Sequence, residues 1–154
     1  MAGIGQSRRR DYSGVVVAAP VTVPYRRFST NSAHWWIGRA LSQLCEHAAI
    51  RPLDIDGLTI SSFTLAPDAA IGLTQHFGLS PRWLDHIPMG GASGLLALRK
   101  AARAVQAGDC EIAACVAGDT NHVDSFRRTL STFSRFAQMP SIPTDRAGRM
   151  RASH

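Results

Sequence analysis

The chain has 154 residues and 16.6 kDa, with 45% hydrophobic and 18% charged residues, 13 Gly and 8 Pro. That is room for one globular domain with a core, and it excludes collagenous, coiled-coil and wholly disordered chains. The net charge of +6 suits a nucleic-acid or membrane surface only if it is spread over the fold, and it is not: residues 1–10 hold three Arg and no acid, residues 139–154 three Arg and one Asp, and residues 11–138 are close to neutral.

Neither nucleic acid nor a membrane is therefore expected as a partner, and no stretch approaches the ~20 apolar residues of a membrane span. Ser7-Arg8-Arg9-Arg10 precedes an apolar run, as in an export signal, but the run is short and Pro20 interrupts it. Three cysteines, Cys45, Cys110 and Cys115, are an odd count that fits a reduced, cytoplasmic protein. Cys110 and Cys115 have no His partner at zinc spacing, so no metal is expected.

In chain order, residues 1–13 read as a basic tail, 14–138 as the domain and 139–154 as a second tail. Val15-Val16-Val17-Ala18-Ala19 is an unbroken apolar run, as in a strand buried on both faces. Pro20, Pro24 and Ser29-Thr30-Asn31 make a loop. Asn31 or Ser32 caps a helix over 33–49, with Trp36, Ala40, Leu41, Leu44 and Ala48 on its inner face, and Arg51-Pro52 ends it. Asp54-Ile55-Asp56-Gly57 leads to a β-branched strand over 58–63.

A helix over 68–77 ends at Gly78, which suits a left-handed cap. Residues 81–88 form a short extended segment. Met89-Gly90-Gly91-Ala92-Ser93-Gly94 turns into a helix over 95–107, capped by Gly108, and 112–118 is another buried strand. Strand, helix, strand, helix, strand in this rhythm predicts an α/β domain with a mostly parallel sheet.

The turn from Gly90 to Gly94 is the most informative site. Small residues entering a helix point backbone N–H groups, and the positive end of the helix dipole, at an oxyanion or phosphate. Equally, the glycines serve close packing of helix on sheet. The turn is neither a P-loop nor a complete G-x-G-x-x-G. Ser93 is either a nucleophile or, with G-x-S-x-G absent, a helix cap. Gly118-Asp119-Thr120-Asn121-His122 follows a buried strand, where parallel sheets place their ligands. Asn121 and His122 either touch substrate or, with Asp119, form only a turn. His76 and His86 read as structural or surface residues, and Trp35-Trp36 as core.

Asp54-Ile55-Asp56-Gly57-Leu58 before a strand, Gly90-Gly91-Ala92-Ser93-Gly94 opening an Ala-rich helix, and Gly108-Asp109-Cys110-Glu111-Ile112 leading to Val116-Ala117-Gly118-Asp119 together resemble the N-terminal half of the thiolase superfamily. The similar branch is that of the sterol-carrier-protein-type thiolases and their thiolase-like aldolase relatives. The resemblance implies a βαβαβ half-domain of a two-half, usually dimeric enzyme acting on coenzyme A thioesters, with no bound cofactor.

It also implies Gly90, Gly91, Ala92, Ser93, Asn121 and His122 as substrate-binding residues. The family's nucleophilic cysteine falls on Gly91, so no catalytic residue is intact and thioester-forming chemistry has no nucleophile there. Relatives without that cysteine cleave carbon–carbon bonds by a retro-aldol route, with a small acyl-CoA-binding partner of the zinc-ribbon and OB-fold kind. The family's acid and base come from a second half. The 16 residues after Gln138, written as codons and read one base earlier, can encode a continuation similar to the relatives' own. The expectation is a frameshifted, truncated and inactive fragment; the alternative is a non-catalytic dimerisation or scaffold module.

Overall fold

In the computed structural model, residues 11–63, 65, 69–120 and 127 are described. The chain divides into two units, Met1–Thr120 and Asn121–His154. The first contains α1 (Ala33–Ala48), β1 (Gly57–Ser61), α2 (Ala69–His76), β2 (Trp83–His86), α3 (Ser93–Ala107) and β3 (Ala113–Ala117).

The three strands form one sheet in the order β2-β1-β3, every pair parallel. Gly57 stands opposite Trp83 on one side and Ala113 on the other, and Ser61 opposite Ala117. β1 is thus the central strand, buried along its whole length, and strand–helix alternation is the α/β arrangement expected.

Alternation along β1 sends its residues to two different layers. Leu58 and Ile60, with Ala114 and Val116 of β3, join a core built from Ile37, Leu41 and Cys45 of α1 and Ala70 and Leu73 of α2. The opposite face carries Gly57, Thr59 and Ser61 and packs under α3, whose buried stripe is Ser93, Ala97, Ala101 and Ala104. Small residues on both sides bring helix and sheet together. Gly57 itself is required by the segment after α3 and the neighbouring strand, since a Cβ there would lie 2.6 Å from Cys110 Sγ and 3.1 Å from Ala113 Cβ of β3.

The helix ends follow their caps. Ser32, not Asn31, caps α1, its hydroxyl accepting the Trp35 N–H at 3.3 Å. The helix stops at Ala49, which turns left-handed (φ 54°), before Arg51-Pro52, which open a short 3-10 turn instead. The inner face is the i, i+4 row Ala33, Ile37, Leu41 and Cys45. Trp36, Ala40, Leu44 and Ala48 flank it half-buried, so the expected face is offset by one row. Gly78 (φ 66°) and Gly108 (φ 81°) are left-handed, as the sequence predicts.

One expected element does not form. Residues 15–19 join no strand, and Val16 and Val17 are 85% and 74% exposed. Ala19 sits at φ 52°, which breaks an extended run, and Pro20 has no N–H to add to a ladder. The segment 81–88 instead contributes β2. α3 begins at Ser93, two residues before the predicted start. The tails 1–10 and 139–154 lie outside the described residues, as do Asn121 and His122.

Candidate functional site

A parallel sheet delivers all its strand exits to one edge. Here that edge receives the turn after β2, the loop after β1 and the loop after β3. β2 ends at His86, Ile87 donates its N–H to the Ile60 carbonyl at 2.8 Å, and the chain then turns into α3.

The turn is a 3-10 segment, Gly90–Ala92. Gly90 is left-handed (φ 59°) and open to solvent, while Gly91 has ordinary backbone geometry. No atom lies within 4 Å of where a Gly91 Cβ would stand. Glycine at 91 is therefore not demanded by packing, contrary to the close-packing reading of the pair. A 3-10 turn carries each N–H back to the carbonyl three residues earlier, so Ala92 faces the Met89 carbonyl and Ser93 the Gly90 carbonyl. The leading N–H groups, those of Gly90 and Gly91, are the ones such a turn leaves over.

Ser93 does not occupy the cap position of α3. Ala92 occupies the cap position, and Ser93 is the first residue of α3, 6% exposed. Its hydroxyl is engaged twice, accepting the Met89 N–H at 3.1 Å and donating to the Gly90 carbonyl at 2.6 Å.

The exits of β1 and β3 are clasped. Asp119 Oδ1 accepts from the Ser62 hydroxyl and from the Phe63 N–H, both at 2.8 Å. The Ser62 hydroxyl also accepts the Leu65 N–H at 3.3 Å. His86 Nε2 lies 3.2 Å from the Ser62 carbonyl, half-buried, so this histidine belongs to the sheet edge and not to the surface. Sequence reasoning missed Ser62, and its only signal was its place at the end of a β-branched run. Asp119 was considered only as a local turn residue; its partners lie 56 and 57 residues away.

The opposite edge is held by Asp56. Its carboxylate accepts the N–H groups of Glu111 and Ile112 at 2.8–3.0 Å and faces Arg82 at 3.6 Å. This gives the Asp of the Asp-Ile-Asp-Gly motif a structural role at the strand entries. His76 packs edge-on against Phe77 at 5.3 Å, and Trp35 edge-on against Trp36 at 4.7 Å with Trp35 half exposed.

Two hydroxyls on the α3 face of β1, those of Thr59 and Ser61, are buried without a hydrogen-bond partner. Burial pushes the Cys115 thiol up to about 11, with the neighbouring Cys110 adding to the effect. Among the described residues no group of three His, Cys, Asp or Glu is placed to hold a metal, and no helix is long and apolar enough to cross a membrane.

No family model and no curated protein matches the chain. Solved structures do. An Ltp2–ChsH2(DUF35) aldolase superposes with a TM-score of 0.52 at 22% identity, over 66% of this chain and 28% of the other. A Cys-to-Ser variant of Xanthomonas campestris OleA, crystallised with lauric acid and lauroyl-CoA, gives 0.54 at 22% identity, over 66% and 31%. The described unit is thus a thiolase-like partial domain in fold, and the chain spans about a third of the length of these neighbours.

Proposed function

We propose that the chain is the thiolase-like part of a protein that processes coenzyme A thioesters. The observation that carries this reading is the exposed Gly90–Ala92 turn, placed at the start of α3 on the edge where all three strands exit. A thioester oxygen bound there meets the N–H groups of Gly90 and Gly91 and the positive end of the helix.

Of the two chemistries, Gly91 favours retro-aldol cleavage. Acyl transfer through a covalent intermediate needs a nucleophile at this position, whereas retro-aldol cleavage does not. A base removes the proton of a β-hydroxyl, and the Cα–Cβ bond breaks. Its electron pair moves into the thioester as an enolate, and a ketone or aldehyde leaves. The turn's donors stabilise the enolate oxygen. Asn121 and His122 are further substrate-binding residues in this proposal, and the acid and base come from a second half. A homodimer, a small acyl-CoA-binding partner of the OB-fold and zinc-ribbon kind, and a cytoplasmic setting complete it.

The test is incubation with a β-hydroxyacyl-CoA bearing a tertiary β-carbon, in the presence of a downstream half if the gene encodes one. Release of the ketone, insensitive to iodoacetamide, is the expected result. A stable dimer with no turnover and no affinity for any acyl-CoA favours the scaffold module instead. The absent Gly91 side chain is the observation on that side.

A further inference from the structure

Ser93 makes two bonds that a simple helix start does not need. The hydroxyl reaches back four residues to the Met89 N–H and three to the Gly90 carbonyl, and it does so from a buried position. Met89 and Gly90 are themselves exposed, so water can satisfy both groups without it. The bonds therefore fix a conformation more than they rescue buried polar groups. The conformation is an unusual one, because Gly90 stands at φ 59° with empty space around it.

With its hydroxyl and its own N–H, Ser93 gives the Gly90 carbonyl two donors. A carbonyl so held cannot swing toward the strand exits, where it would oppose an anion. The same edge carries a second hydroxyl, that of Ser61, the last residue of β1, 4% exposed and unpartnered on the face that α3 covers.

We propose that Ser93 is a positioning residue, which presets the Met89–Gly90 turn so that the N–H groups of Gly90 and Gly91 face a thioester oxygen. This role rests on the acyl-CoA reading and deepens it. The serine touches no reacting atom; it acts through the turn.

The test combines amide hydrogen exchange with lauroyl-CoA as the titrated probe, on the full chain. Ser93→Ala is expected to speed exchange at the Met89 amide about tenfold, as loss of one net hydrogen bond implies, and to weaken lauroyl-CoA by a similar factor. Gly90→Ala, which keeps the hydroxyl but strains the left-handed position, is expected to weaken the probe as well. Arg99→Ala, at an exposed position farther along α3, leaves both readouts unchanged. Unchanged Met89 exchange in Ser93→Ala, or faster exchange with undiminished lauroyl-CoA affinity, overturns the positioning role alone. An unsubstituted chain that does not bind lauroyl-CoA, while Ser93→Ala still speeds Met89 exchange, overturns the acyl-CoA reading and reduces Ser93 to a fastener of the turn.

Discussion

At the scale of single residues, the buried hydroxyls of β1 make a direct prediction. Thr59 is fully buried and its oxygen has no partner, and an unsatisfied buried hydroxyl costs about 1–3 kcal/mol. Thr59→Val keeps the shape and removes the polar atom. It should raise the urea midpoint, corresponding to about 1 kcal/mol or more; a lowered midpoint would show that the hydroxyl has a partner in solution. Gly91 makes a different one. Its Cβ position is empty and its φ is ordinary, so Gly91→Cys should melt within about 0.5 kcal/mol of the parent. Its exposed thiol should be alkylated far faster than Cys115, whose thiol burial pushes up to about 11. Equal rates for the two thiols would contradict the exposure of the turn.

The glycine caps at 78 and 108 were readable from the chain because a left-handed helix end has few alternatives to glycine. Ser93 was not. A serine beside glycines suits a cap, a nucleophile or a strap equally well, and only the path of the backbone decides which.

At the scale of elements, the small-residue seam between α3 and β1 governs stability. Ala97 is 2% exposed and Ala101 5%, and the facing strand offers Gly57, Thr59 and Ser61. Ala101→Leu should overpack this seam and cost about 1–3 kcal/mol in chemical denaturation. Leu95→Gln, on the 77%-exposed outer side of the same helix, should cost almost nothing. The element order and both long helices were legible because their apolar periodicity and their caps agree. The run 15–19 misled for a physical reason: apolar content reports a preference for burial but not the presence of a neighbouring strand, and Ala19 and Pro20 deny it the required backbone. β2 was seen only as an extended segment, since its four residues are half-buried and carry no alternation.

At the scale of the whole molecule, the pH response follows from the thiols: burial raises Cys45 and Cys110, and raises Cys115 to about 11. Cys115 keeps its proton more tightly in the folded chain than in the unfolded one. Its contribution is fully present below the unfolded value near 9 and is lost as pH rises toward 11. Stability should fall across that window, and Cys115→Ala should flatten the fall; an identical slope in the variant would place the titrating group elsewhere. The α/β class and the thiolase-like architecture were legible in three motifs taken together, although overall identity to the solved neighbours is only 22%. The clasp of Ser62 by Asp119 was not, because nothing local in either segment announces a partner 57 residues away.

That clasp bears on the order in which the fold can be completed. The link from the end of β1 to β2 at the strand exits joins residues 24 apart, whereas those to the end of β3 join residues 56 or 57 apart. During synthesis the central strand therefore leaves the ribosome with both flanks unpaired; β2 covers one, and the other stays open until α3 and then β3 have emerged. A nascent chain stalled before residue 113 presents Gly57-Leu58-Thr59-Ile60-Ser61 as an open sheet edge. Chaperone capture should peak at that length and fall sharply once Asp119 has cleared the exit tunnel.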